Sequence, residues 1–408
     1  MGDDILILGG GAAGLLAAIA AKRAAPRARV TVLEAGERVG KKILSTGNGR
    51  CNLTNLRADA GAYAPAPVEP VLQQFPPARA LEAFSRMGLC FREEEDGRVY
   101  PASDAASSVL DALRLTGAHL GVVERTGFAA VRARHGRDGF VVEAEDGARA
   151  SGARLLLTTG GKAASRFVGY DIAEQLGHSV TRLSPGLVPL KTDGAGLKGL
   201  NGVRCRCAVT LRQGARSLLR EEGEVLFKDY GLSGIAVFQL SRALARAAGP
   251  CEVEVDLLPG QTPAQAAEGL RARARLLAWR ETDAFLLGMM HKNLAANLLR
   301  ACGIGAMRVE EIPDEKLRRL AETMKGWRHR VTGTQGFQNA QVTVGGVLLS
   351  EVEGATLASR RCAGLFLAGE VLDVDGPCGG YNLQWAWASG AVAGKAAAQS
   401  LYGKEEGA

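Results

Sequence analysis

The sequence has no run of five consecutive basic residues, no Cys-x-x-Cys pair and no unbroken apolar stretch of membrane-spanning length. Each absence argues against a class of function. The 50 Lys and Arg exceed the 43 Asp and Glu by a diffuse +7. Such a field attracts anionic dinucleotides or acidic substrates but lacks the concentrated footprint of a nucleic-acid binder. The densest basic segment, Arg271-Ala-Arg273-Ala-Arg275, reads as the solvated face of a helix. Among eight cysteines, the closest pair is Cys205 and Cys207, which strand alternation points to one side, so a zinc site and dithiol chemistry find no support. Reduced thiols suit the cytoplasm. The apolar run from Ile5 to Ala21 lacks a basic flank and is interrupted by glycines, so it reads as a buried strand and helix, and no membrane partner is expected.

Glycine, by contrast, is plentiful at 53 of 408 residues, a length that accommodates two or three domains. The glycines cluster at strand ends, where a backbone turns tightly or approaches a ligand. Residues 4–34 read as strand Ile5–Leu8, a glycine turn, a helix from Ala12 to about Ala25, and strand Val30–Glu34, a βαβ unit. Gly36 to Asn55 shows neither helical nor strand period and is expected to be a long ordered loop. Helices are expected over 78–87 and 105–115, followed by strands over 122–133, 139–144 and 149–157 in a small antiparallel meander ending at Thr158-Thr159-Gly160-Gly161. Beyond Pro185 the pattern becomes short alternating segments (203–212, 225–228, 251–256). An Ala/Leu/Arg-rich helical pattern then runs from about 262 to 326, and glycine-rich texture returns from Phe337.

The loop Gly9-Gly10-Gly11-Ala12-Ala13-Gly14 carries the clearest chemistry. A bare G-x-G-x-x-G is a weak signal, but this one follows an apolar strand, opens a helix and has Glu34 at the end of the next strand. Gly9 permits the turn, Gly11 admits a pyrophosphate, and Gly14 allows close helix–strand contact. The helix start, through Ala12 and Ala13, offers free N–H groups, and Glu34, with Ala35 beside it, can accept from ribose hydroxyls. The same pattern recurs at Gly194-Ala-Gly196-Leu-Lys-Gly199, but there it precedes alternating residues and reads as a loop entering a β-hairpin. No second nucleotide domain is therefore expected.

Two further blocks make the ligand specific. Gly40-Lys41-Lys42-Ile-Leu-Ser-Thr-Gly-Asn48-Gly49-Arg50-Cys51-Asn52-Leu-Thr-Asn55 and Gly369-Glu370-Val-Leu-Asp373-Val-Asp375-Gly-Pro-Cys-Gly379-Gly380-Tyr381-Asn382-Leu383-Gln384 resemble the signatures of the aminoacetone oxidase/BaiN-type flavoproteins, a branch of the glutathione-reductase-like superfamily. The resemblance runs along the whole chain, including Tyr230-Gly-Leu-Ser-Gly234. It implies an α/β fold: a discontinuous Rossmann-like FAD-binding domain (1–185 and 337–408), an inserted β-rich, barrel-like domain (186–261 and 327–336) and a helical subdomain (262–326). It also implies FAD as cofactor. Gly40, Lys41, Lys42, Asn48, Gly49, Arg50, Cys51 and Asn52 would line the pyrophosphate and flavin. Thr159, Gly160 and Gly161 would run beneath the dinucleotide, and a residue near Ala130 would pass the adenine. Glu370, after Gly369, would meet the ribityl chain, where many relatives use Asp. Gly380, Tyr381, Asn382 and Leu383 would present a helix N-terminus to the flavin N1/O2 edge, where reduction places negative charge.

The chemistry implied is hydride or electron transfer through flavin N5 to or from a small organic substrate held between flavin and insert. The leading expectation is NAD(P)H-linked reduction of an activated C=C bond, with the nicotinamide as a transient co-substrate. Oxygen-dependent oxidation of a small amine is the alternative direction. An RNA-modifying flavoprotein and a flavin-binding protein without catalysis are the alternatives of other classes. No nucleic-acid partner is expected. Among single residues, Tyr381 is either a proton donor or a packing residue against the isoalloxazine. His291 and His329, in the insert, are candidate acid/base groups. Cys51 reads as a small buried packing residue, and Asp373 and Asp375 as loop-ordering carboxylates.

Overall fold

A computed structural model describes residues 3–65, 67–163 and 169–402. The chain divides into two compact units, residues 1–184 with 342–408, and residues 185–341. No helix among the described residues is long and apolar enough to cross a membrane.

The first unit is organised by a seven-stranded sheet. Asp3–Leu8 lies at its centre, parallel to Val30–Leu33 on one side and to Arg149–Leu157 on the other. Val30–Leu33 is buried from end to end, as is Ile5–Leu8 of Asp3–Leu8, as strands covered on both faces require. The strand Arg149–Leu157 serves two partners along one edge. Its first half pairs antiparallel with Gly139–Ala144, which pairs in turn with Ala130–Gly136, and its second half pairs parallel with Leu365–Leu367. Residues from both ends of the chain thus share one sheet.

The helix following the glycine loop, Ala12–Ala24, packs beside the closing helix Tyr381–Gln399. A Cβ at Gly390 would lie 2.4 Å from Ala13 O and one at Gly394 would lie 2.2 Å from Ala17 O, so the two backbones meet where only glycine fits. Lys22 ends the first helix by donating to Pro26 O and Ala28 O at 2.7 and 3.0 Å.

Three expectations need correction here. Residues 122–133 form two strands rather than one. Val123–Arg125 runs parallel to Val30–Leu33 on the far edge of the sheet, and Ala130–Gly136 begins the meander. Gly127, at φ +69°, separates them, and its amide donates to Gly36 O. The stretch from Gly36 to Asn55 is not a continuous loop, because it holds the helix Lys41–Ser45, a 3-10 turn over Thr46–Gly49 and the short strand Thr54–Asn55. Each piece is too short to show a period in sequence. In the second unit the helix Ile235–Arg246 occupies residues that had no helical reading, and it buries Ala236, Val237 and Leu240 in that unit's core.

The second unit is built on a closed six-stranded barrel, in the order Leu190–Thr192, Gly231–Ser233, Arg216–Lys228, Arg204–Gln213, Glu252–Asp256 and Trp327–Thr334. Its helices Pro263–Leu276, Lys292–Ala301 and Asp314–Lys325 share that core through Leu270, Leu298 and Leu320. The first has a full capping box, Thr262 with Gln265. Arg271 and Arg275 on this helix pair with Asp314 and Glu268, as expected of a solvated face. The decoy loop Gly194–Gly199 enters the hairpin of Arg204–Gln213 and Arg216–Lys228. The Asn297 amide holds it by donating to Gly196 O and Lys198 O, each at 2.9 Å.

Candidate cofactor cradle

The glycine loop is fixed from three directions. Gly9 takes φ +107°, and a Cβ there would sit 2.6 Å from Thr158 O. A Cβ at Gly14 would fall 2.0 Å from Gly9 O and 2.7 Å from Thr158 Oγ1. Thr158 Oγ1 donates within this junction, with Gly9 O at 2.8 Å and Leu8 O at 3.1 Å. Gly11 differs from both: a Cβ there meets nothing within 4 Å. Its glycine therefore answers to no contact inside the protein, as expected where a ligand's phosphates come up to the backbone.

The helix beyond the loop starts without a side-chain cap and without an acidic residue in its first turn. Its free N–H groups and positive end are left for an anion. Glu34 closes the loop from the other side, accepting from Gly10 N through one oxygen and from Gly36 N through the other, both at 2.8 Å. Gly40 N donates to Gly10 O at 2.7 Å. Gly40 itself is a packing requirement, since a Cβ would strike Leu110 Cδ1 at 2.1 Å.

Beneath the loop, Gly160 takes φ +77°, and a Cβ at Gly161 would lie 2.5 Å from Glu370 Oε1. Glu370 is held on both oxygens, by Thr343 N at 2.7 Å and by Lys42 Nζ at 2.7 Å. Gly369 reaches the glycine helix, with its Cβ position 2.9 Å from Ala13 Cβ. The Thr159 hydroxyl is buried with no hydrogen-bond partner among the described residues. An orphaned hydroxyl, an uncapped helix start and open space over Gly11 together suit a long dinucleotide, and the residues present fit FAD.

The Asn48–Asn55 block makes several side-chain contacts within the protein. Arg50 lies over the Tyr100 ring at 4.1 Å and donates to Glu94 Oε1 at 2.9 Å. Cys51 is fully buried with φ +58°, and burial pushes its thiol up to about 12, opposed by a bond with Thr46. It stays a thiol, in keeping with a packing role. The next residues clamp the start of the closing helix. Asn55 Nδ2 donates to Gly379 O at 2.9 Å, and Thr54 Oγ1 donates to Gln384 Oε1 at 2.7 Å. With its amide oriented to suit both neighbours, Asn52 donates to Thr54 O and accepts from Gly380 N, each at 3.2 Å. Trp387 Nε1 adds a bond to Leu53 O at 2.8 Å. Gly380, at φ +98°, must be glycine because a Cβ would come within 2.5 Å of Thr54 O. Thr54, Asn55, Gln384 and Thr343 were not among the expected site residues; their pairings join distant parts of the chain and leave no trace in local spacing.

The Asn382 side chain is committed to its own loop, bonding both N and O of Gly376 at 2.9 Å. Tyr381 packs edge-on to Tyr63 with ring centroids 6.1 Å apart, and burial raises its hydroxyl above the ordinary tyrosine value. Ala130 is a buried strand residue paired with Ala144. Lys41 and Ala35 are exposed, and Asn48 and Gly49 lie at φ +56° and +85° in the turn before Arg50.

The two histidines sit in the second unit with unlike surroundings. His291 is exposed and caps the helix Lys292–Ala301, its Nδ1 accepting from Asn293 N at 3.2 Å. That bond accounts for the residue without catalysis. His329 lies on the barrel strand Trp327–Thr334, is fully buried and has no hydrogen-bond partner for either ring nitrogen among the described residues. Its ring packs edge-on to Trp327 at 4.6 Å. No group of three or more His, Cys, Asp or Glu among the described residues is arranged to hold a metal ion.

The sequence profile described as the HI0933-like protein Rossmann domain matches residues 3–396. The chain is 40% identical to the 3-dehydro-bile acid delta(4,6)-reductase of Clostridium scindens over 97% of its own length and 99% of the relative's. It is 31% identical to the ribosomal RNA dihydrouridine synthase of Escherichia coli over 95% of its length and 96% of the relative's. Among solved structures, the 3-ketosteroid-delta4-(5alpha)-dehydrogenase from Rhodococcus jostii RHA1 aligns with 97% of this chain and 96% of its own, at 15% identity and a TM-score of 0.49.

Proposed function

Since the chain belongs to the HI0933-like Rossmann family and is an FAD-dependent oxidoreductase, we propose that it reduces a C=C bond conjugated to a carbonyl, with NADH or NADPH as electron donor. The observation that carries this reading is that two relatives matched over nearly their whole length have names describing one kind of reaction. A 3-dehydro acid with 4,6 unsaturation is a conjugated dienone, and dihydrouridine is uridine with its carbonyl-conjugated ring double bond saturated. When bound, FAD supplies hydride transfer in both directions, from the nicotinamide and to the substrate. The substrate's β-carbon gains the hydride and its α-carbon a proton, while NAD(P)H leaves as NAD(P)+.

The protein's own groups divide the remaining work. The loop Gly9–Gly14 and the helix start at Ala12 and Ala13 hold the pyrophosphate. Glu34, Lys42, Glu370 and the turn Thr159–Gly161 hold the rest of the dinucleotide, and the amides opening the closing helix face negative charge. For the proton we assign Tyr381, whose hydroxyl is protonated at neutral pH as any tyrosine's is, its pKa being raised further by burial. Tyr381→Phe is expected to slow substrate-driven reoxidation of the flavin by about 100-fold while leaving its reduction by nicotinamide within twofold. Stopped-flow absorbance of the two half-reactions checks this, and equal slowing of both removes Tyr381 from the role.

A second reading, uridine in RNA as substrate, is favoured by the distribution of charge. The unit 185–341 holds 23 Lys and Arg against 16 Asp and Glu, whereas the other unit holds 27 of each, so the whole excess of +7 belongs to one unit. Both readings meet one experiment. The yellow protein is mixed anaerobically with NADH and with NADPH, and the reduced protein is then offered a Δ4,6-3-ketosteroid or unmodified ribosomal RNA. Bleaching by one nicotinamide and reoxidation by the ketosteroid is expected. Reoxidation by RNA alone would transfer the substrate to the second reading, and a flavin that stays oxidised with both nicotinamides would sink the electron-donor assignment.

A further inference from the structure

A groove of about 480 Å3 opens along the last two turns of the glycine helix, the helix Pro77–Ser85 and the closing helix. Its lining takes residues from Leu16 onward and none from the loop Gly9–Gly14, which begins the same helix at the other end. That volume lies within the range of about 300–1,000 Å3 of small-molecule pockets.

The groove has an apolar floor and a cationic rim. Half-buried Ala20, Phe75, Ala83 and Ala391 form the floor, over the core residues Leu16, Ile19 and Val392. Arg23, Arg79, Arg86 and Lys395 stand around it with a single carboxylate, Glu82. Glu82 is already taken on both oxygens, by Arg79 at 2.9 Å and Arg86 at 2.6 Å. Among the described residues, Arg23 and Lys395 have neither an ion-pair nor a hydrogen-bond partner. A cation in the last turn of a helix complements the carbonyl end of that helix, which accounts for Arg23 in isolation. It does not account for three more cations from two other helices meeting over one apolar floor.

We propose that this groove binds an amphipathic organic anion, its apolar chain or ring body lying over Ala20, Phe75, Ala83 and Ala391 and its carboxylate or phosphate head held by Arg23 and Lys395. The body replaces water on the floor, and the head meets the two cations that no side chain of the protein neutralises. The site is separate from the cofactor cradle and does not depend on which substrate the flavin reduces.

Calorimetric titration of the FAD-loaded protein with decanoate, and with decan-1-ol as its neutral counterpart, tests the proposal. One decanoate per chain is expected, with at least tenfold weaker binding of decanol. The double variant Arg23→Glu/Lys395→Glu is expected to lose at least tenfold in decanoate affinity with unchanged flavin absorbance and a melting temperature lowered by no more than a few degrees, the cost of a carboxylate at the carbonyl end of the helix, and Arg23→Lys/Lys395→Arg to bind as the native protein does. No decanoate binding, equal binding of decanol, or equal affinity in the charge-reversed variant would each overturn the proposal. So would a concentration-dependent dimer abolished by the same charge reversal, because the groove would then be an interface between copies.

Discussion

Gly11→Ala is expected to leave the protein folded and strip it of FAD, whereas Gly14→Ala is expected to damage the fold itself. The two glycines belong to one motif and lie three residues apart, yet their surroundings are opposite. At Gly11 a methyl group enters open space, so the chain tolerates it and the cost falls on whatever approaches that backbone. At Gly14 the methyl group would be forced to 2.0 Å from Gly9 O, between a strand end and a helix start that are both buried. Relief requires moving the helix off the sheet, and overpacking of this kind costs about 1–3 kcal/mol or more. For Gly11→Ala the expected outcome is at least a tenfold rise in the FAD dissociation constant, with an apoprotein melting temperature within 1–2 °C of the native value, roughly the effect of a few tenths of a kcal/mol. For Gly14→Ala the dissociation constant rises and the melting temperature falls together. Fluorescence titration of apoprotein with FAD and thermal denaturation without it separate the cases. If Gly11→Ala lowered the apoprotein's melting temperature as much as Gly14→Ala does, the space over Gly11 would not be a ligand's.

The second large effect is acid sensitivity of the barrel. His329 is buried among barrel side chains, and burial pushes its pKa from 6.5 down to about 4. The carboxylate of Asp193 opposes the shift, as does the backbone of Ala195, which lies near the ring without hydrogen-bond geometry. The folded state therefore binds the proton less readily than the unfolded chain does. Above the unfolded value, near 6.5, both states are neutral and His329 has no pH effect. As pH falls from 6.5 toward 4 the unfolded chain takes up a proton that the barrel refuses, and stability drops by about 3 kcal/mol over that window. His178, lowered by burial against the pull of Glu351, contributes in the same direction in the other unit. Urea denaturation at pH 7 and pH 4.5, compared with His329→Phe, reads the term. The variant should lose markedly less stability than the native protein over that interval, and parallel losses would mean that His329 is not the group responsible.

What was legible in the sequence follows from how local each feature is. Strand, glycine turn, helix and Glu34 lie within one stretch of some thirty residues, and their spacing alone distinguished the real loop from the copy at Gly194. The barrel was legible only as texture, since closure depends on Leu190–Thr192 meeting Trp327–Thr334 across most of the unit. The helix Ile235–Arg246 was hidden by its start, Ile235-Ala-Val-Phe238, whose β-branched and aromatic residues suit a strand as well as a helix. The block Cys51–Asn55 was conspicuous, but its task was not, because Thr54 finds Gln384 across 330 positions. His291 stood out as an acid/base candidate, but its part in capping the helix Lys292–Ala301 was not legible, because it rests on the bond from Asn293 N to one ring nitrogen.

The clamp between Asn52–Asn55 and Gly379–Gln384 also bears on biosynthesis. A ribosome delivers the glycine loop long before the helix that packs on Ala13 and Ala17 and is gripped by Thr54. A nascent chain therefore carries a dinucleotide motif that it cannot yet use, and acquisition of the cofactor waits for that helix. Chains truncated ahead of Tyr381 should remain colourless however much FAD surrounds them.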